Sequence, residues 1–223
     1  MMQTQAGDDL IGRILTHSSH DDVVGPAANE LLSQLFAGYP VDNLGRLLHS
    51  GDDATVRTGT WLLSELGDLA TPLMDEVPAL LSHPHREVRF FAVEVVLTSS
   101  DSEHGPVIAQ AINMISDYDE AIRWKVVQLL AAATADQLEA GESCLQAGPV
   151  KKLTEWLVRQ ETEEPDARDV IARLHSSDPA SRLFALAAAA RLSEEDSALL
   201  EQAATVEDEE IRSFAELVLS ELG

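Results

Sequence analysis

Among the residues of this chain able to move protons, act as nucleophiles or bind metal are thirty-nine Asp and Glu, seven His and one Cys. Carboxylates at this density supply an acid–base pair almost anywhere, so a pair marks no site without geometry. His17, His49, His83 and His175 each follow an apolar run and precede a turn. There an imidazole meets free carbonyls and the negative end of a helix dipole. These four stand tens of residues apart, whereas a zinc site draws three or four ligands to one point. His83-Pro84-His85 is the nearest thing to a local ligand pair. Cys144 has the acid Glu142 two residues before it, which disfavours a thiolate, and reads as a small apolar filler. There is no Walker A loop, G-x-G-x-x-G, H-E-x-x-H, G-x-S-x-G or paired C-x-x-C. The sequence therefore predicts no catalytic residue, no metal and no cofactor.

The elements that hold these residues are visible in a recurring phrase, an apolar residue followed by a basic one. It reads Val56-Arg57, Val88-Arg89, Ile122-Arg123, Val150-Lys151, Ser181-Arg182 and Ile211-Arg212, with Val24-Gly25 as a degenerate first copy. The spacing stays near 30 residues, the length of a repeated helix–turn–helix unit. Seven residues beyond the leader stand Leu31, Leu63, Val95, Leu129, Leu157, Ala188 and Val218. Three residues beyond it stand Ala27, Gly59, Phe91, Lys125, Leu153, Phe184 and Phe214. This i, i+3, i+7 pattern marks one buried helical stripe, broken by Lys125. Asp and Ser residues before each phrase suit helix N-caps. The pattern predicts seven helix pairs in one domain over 1–223, with second helices near 22–37, 53–66, 86–98, 119–133, 149–160, 179–192 and 208–222. First helices include 41–49, 73–82, 107–116 and 167–175.

The basic members Arg57, Arg89, Arg123, Lys151, Arg182 and Arg212 form a ladder. Asp53, Asp119, Asp178 and Asp208 stand four residues before Arg57, Arg123, Arg182 and Arg212, so each pair is expected to meet on its helix. The slot after the ladder residue is variable, and it is aromatic in two adjacent copies, Phe90 and Trp124. Glu94 and Gln128 follow four residues later on the same face. Trp61, Phe90, Glu94, Trp124 and Gln128 are thus the expected partner-binding residues, apolar anchors within polar surroundings.

The acid-x-x-[Val/Ile]-Arg phrase, together with Trp61-Leu62-Leu63-Ser64-Glu65-Leu66-Gly67, resembles the HEAT repeat. The resemblance covers nearly the whole chain and is strongest over residues 41–133. It departs at Gly25, at Ser181 and around 135–160. It implies an all-α solenoid of about seven HEAT-like helix pairs, with the ladder arginines beside acids of their own and neighbouring repeats. Bacterial toxin-immunity proteins, bilin lyases and DNA glycosylases of this architecture are the functional relatives it brings to mind.

Composition chooses among them. The net charge of −24 opposes nucleic-acid binding, which requires clustered Lys and Arg, and so disfavours a glycosylase. No residue supports a lyase. No apolar run nears the roughly 18 residues that cross a bilayer, the N-terminus lacks a signal-peptide pattern, and the cysteine is single. The expectation is a non-catalytic cytoplasmic scaffold that binds a protein on its concave surface, in its most specific form an immunity protein against a basic toxin domain, with no nucleic acid or membrane as partner.

Overall fold

The computed structural model describes residues 2–163, 165–193 and 197–222. The protein is all-α, 80% helical, with no strand among the described residues. It divides into two compact units, Met1–Ser100 and Asp101–Gly223.

The first unit contains α1 (Met2–Thr16), α2 (Asp21–Phe36), α3 (Gly45–Leu48), α4 (Asp53–Ser64), α5 (Val77–Leu81) and α6 (Arg86–Ser99). Two 3-10 segments, Val41–Leu44 and Gly67–Glu76, lead into α3 and α5. The expected first helices over 41–49 and 73–82 are therefore part 3-10. In the second of these, Pro72 and Pro78 explain much of the change, because each removes a backbone donor from the α-ladder. Packing follows chain order: α1 lies on α2, α3 on α4 and α5 on α6, while α4 touches α2 and packs closely on α6. The buried stripe runs through Val24, Ala27 and Leu31, then Val56 and Leu63, then Val88 and Val95. Phe91, expected within that stripe, is only half-buried.

The second unit contains α7 (Gly105–Asn113), α8 (Glu120–Ala132), α9 (Ala135–Cys144), α10 (Pro149–Thr162), α11 (Ala167–Leu174), α12 (Pro179–Leu192), α13 (Ala198–Ala203) and α14 (Glu209–Leu222). Here packing leaves chain order. The main neighbour of α8 is α12, while α10 sits against α9 and α12. Trp124 of α8 meets Phe214 of α14 edge-to-face at 5.9 Å. The reason lies in α12, where every residue from Leu183 to Ala189 is buried. A helix that is apolar all round must be enclosed on all sides, and α8, α10, α11, α13 and α14 surround it. The guanidinium of Arg191 fixes one such contact by donating to the carbonyls of Leu130, Ala131 and Ala133 at the end of α8.

The ladder residues follow a rule of their own. Nη1 of Arg89, Arg123, Arg182 and Arg212 donates to the carbonyl six residues upstream, on His83, Asp117, Ser176 and Val206 respectively. Each arginine thus reaches back over its own turn and ties the end of the first helix to the second. Lys151 does the same from farther away, donating to Glu142 O at 2.8 Å. Arg123 also makes a two-pronged ion pair with Glu210, and Arg182 binds Asp208. Asp178 and Asp208 are thereby drawn away from the same-helix pairs expected of them. Asp178 lies outside the helix, at φ −83° and ψ 116°, so the i, i+4 helical geometry does not apply to it. Its carboxylate instead caps Ala180 N, and Asp208 caps Glu210 N and Ile211 N. Asp119 likewise caps Ala121 N. Asp53 is inside α4 but turns to His85 Nε2 at 2.8 Å, while Arg57 leans toward Asp21 on α2 at 3.7 Å.

Candidate functional site

The second helices of the first unit, α2, α4 and α6, line a groove of about 370 Å³. Its lining is built from small residues on two helices and large ones on two. Val24, Gly25 and Ala28 of α2, with Thr58 of α4, leave the hollow, and Trp61 of α4 and Phe91 of α6 close it with half-exposed rings. Asp21, Arg57 and Glu87 stand at its edge. A smaller cleft of about 260 Å³ adjoins it, sharing Arg57 and Glu87 and adding Asp53, Ala54 and His85.

Gly25 explains why the groove is open at this place. It occupies the ladder position, where the other copies carry Arg or Lys. A Cβ built on it would meet nothing within 4 Å. Gly25 also precedes Pro26 within α2, and a residue with a Cβ resists helical geometry before proline. The one degenerate copy of the phrase therefore removes a long side chain from one rung. Arg57, the next rung, leans across toward Asp21.

The electrostatics at this end of the unit are those of three helix starts. Asp52 caps α4 by accepting from Thr55 N at 2.9 Å and Thr55 Oγ1 at 2.8 Å. The Thr55 hydroxyl and then its amide hold the Asp52 carboxyl below the usual carboxylate range. His83 and His85 flank Asp53 with Nε2 at 3.6 and 2.8 Å. Burial pushes the His83 imidazole down from its ordinary value, against the opposing charge of Asp53. Asp53 stands between the two rings, and among the described residues no group of three or more His, Cys, Asp or Glu is placed to hold a metal. Of the remaining histidines, His17 bonds the Arg13 carbonyl at its helix end, and His49 pairs with Glu76 at 2.7 Å.

No family model matches the chain. A search of curated proteins likewise finds no match. The site is therefore read from its own chemistry.

Of the five residues expected to bind a partner, Trp61 lines the groove. Phe90 is half-buried on α6, its ring edge-on to Phe91 at 5.7 Å, and Glu94 lies half-buried one turn on. Trp124 and Gln128 belong to the second unit, where Trp124 packs on Phe214. Sequence reasoning placed Phe91 in the core, took Gly25 only as a degenerate copy of the ladder position and passed over Ala28. The signal that would have found them is a loss of side-chain volume at a ladder position beside an aromatic residue in the next helices.

Proposed function

We propose that the chain is a non-catalytic scaffold that binds a protein partner through the groove over α2, α4 and α6. One observation carries this reading: three consecutive second helices share an open, mostly apolar hollow edged by charge. Partly exposed aromatic rings within a polar rim are the usual makings of a binding hot spot. The chain-ordered packing of the first unit supports the finer architectural reading, a HEAT-like stack of helix pairs whose second helices form the concave face. The net charge of −24 supports a basic partner, because an acidic surface speeds capture of a basic protein. A basic toxin domain neutralised in the cytoplasm is the most specific form of this proposal. No described helix is long and apolar enough to cross a membrane.

The test begins with a partner purified from the native host and reconstituted with the pure chain. Trp61→Ala, first checked for an unchanged helical spectrum, is expected to weaken binding by about 2 kcal/mol or more. Affinity equal to the parent's would move the interface away from the groove.

A further inference from the structure

The groove has a chemistry specific enough to name the segment that fills it. We infer that it takes one large apolar side chain from an exposed loop or helix of the partner, flanked on both sides by Lys or Arg. This rests on the reading of the groove as the binding site.

The apolar part follows from the lining. Gly25, Ala28 and Thr58 contribute little volume, and the rings of Trp61 and Phe91 stand beside the gap they leave. A side chain the size of Leu, Met or Phe replaces the missing rung and covers those rings. Filling such a hollow removes apolar surface from water on both partners.

The basic flanks follow from how the charges are held. Residues 1–100 carry fourteen Asp and Glu against five Arg, a net −9. Four of these five arginines are engaged within the fold. Arg46 pairs with Asp8 at 2.9 Å, Arg89 is buried against the carbonyls of His83 and Pro84, and Arg57 and Arg86 stand at 3.7 and 3.8 Å from Asp21 and Glu87. The last two are long, exposed pairs that contribute little and yield readily to a competing cation. Asp21 and Glu87 sit in the first turns of α2 and α6, the two helices that line the hollow together with α4, and Asp53 adjoins in the first turn of α4. Cations on the flanks of the apolar anchor thus meet these carboxylates. Acidic flanks would meet repulsion and the surplus negative field together.

The experiment uses the full chain and fluorescein-labelled synthetic peptides read by anisotropy. One peptide has a central Leu between Lys/Arg flanks; in the others the centre is Ala, the flanks are Ser/Gly, or the flanks are Glu. The Lys/Arg–Leu peptide should bind, weakening about tenfold or more when the centre becomes Ala. It should weaken further as salt is raised, and the Glu-flanked peptide should show no binding. Two folded controls separate site from stability. In Pro26→Ala the groove stays open and a helix donor is restored, so melting should hold or rise and binding should persist. In Gly25→Leu with Pro26→Ala the new side chain enters open space, so melting should hold while binding is lost. Equal binding of the Ser/Gly-flanked and basic peptides would overturn the charge requirement and leave the groove as the site. Undiminished binding to the Gly25→Leu, Pro26→Ala variant would overturn the site itself. Binding of none of the peptides would overturn the inference, while the Trp61→Ala test with the native partner still decides the broader reading.

Discussion

Tyr39, in the turn after α2, is buried with its ring against Gly7 of α1, and its hydroxyl donates to Asp8 Oδ1 at 2.9 Å. Burial first, then the hydrogen bond and charge of Asp8, push the phenol up from 10.0 to about 12, against the smaller opposite pull of Arg46. The folded state thus favours the neutral phenol. Its contribution to stability is complete below the unfolded pKa near 10 and is lost as pH rises from there toward 12. Ultraviolet titration of the folded protein should place Tyr39 near 12, and Asp8→Asn should bring it partway down. A titration unmoved by that change would show that burial alone sets the value. At this same scale the ladder positions were legible but not the carbonyls that accept from them, while acids about one period away stand beside Arg57 and Arg182 as Asp21 and Asp208. Spacing alone suggests a carboxylate four residues away, whereas an Asp at the N-cap is not yet in helical geometry and turns to the backbone. The freed guanidinium then finds the carbonyl six residues back. Arg89 does so from a buried position, 7% exposed, so Arg89→Ala should cost about 2–3 kcal/mol in urea denaturation. Arg89→Ala melting like the parent would show that the carbonyls are served by water instead.

Helix positions were the most legible feature, because a 30-residue phrase with an internal helical period fixes both type and phase. The seven expected second helices match α2, α4, α6, α8, α10, α12 and α14 to within about two residues at most ends. Helix neighbours were less legible, since a local period carries no information about which helix lies across the core. The all-apolar run in α12 held the clue: a helix buried on every side needs more neighbours than a regular stack provides. Arg191 joins α12 to the last carbonyls of α8 and to Glu161 at 2.9 Å. Arg191→Ala leaves those carbonyls short of a donor, and unfolding measurements should show a loss of about 2–4 kcal/mol. Arg191→Lys should recover only part of it, because an ammonium cannot reproduce the planar fork. The α7–α9 contact depends on the absence of a side chain at Gly141: a Cβ there would lie 2.6 Å from Ile108 Cγ2. Gly141→Ala should therefore destabilise by about 1–3 kcal/mol despite its better helix propensity. An unchanged or raised stability would mean that the two helices separate without cost.

Across the whole chain, thirty-nine acids face fifteen Lys and Arg. Many of the cations are committed to the fold, as Arg123 is to Glu210, Lys151 to Glu142 and Arg182 to Asp208. The surplus acids repel one another across the surface, which opposes compaction. Salt acts on this balance in two ways. It screens the exposed pairs Arg46–Asp8 and Arg57–Asp21, a small loss because such pairs contribute little. It also screens the repulsion, which grows with the square of the excess charge and reaches beyond single pairs. Arg123 and Glu210, each about one-fifth exposed, are sheltered from the screening. The melting temperature should therefore rise as potassium chloride increases from low concentration to about 1 M, where the Debye length falls to roughly 3 Å. Most of the rise should come below about 0.15 M, because screening of long-range repulsion is nearly complete there, and a continued rise beyond it points to general salting-out of apolar surface. Asp21→Lys with Glu87→Lys should reduce the slope, since it lowers the excess charge by four at exposed positions. A melting temperature that falls with salt would instead show that attractive ion pairs outweigh the repulsion in this molecule.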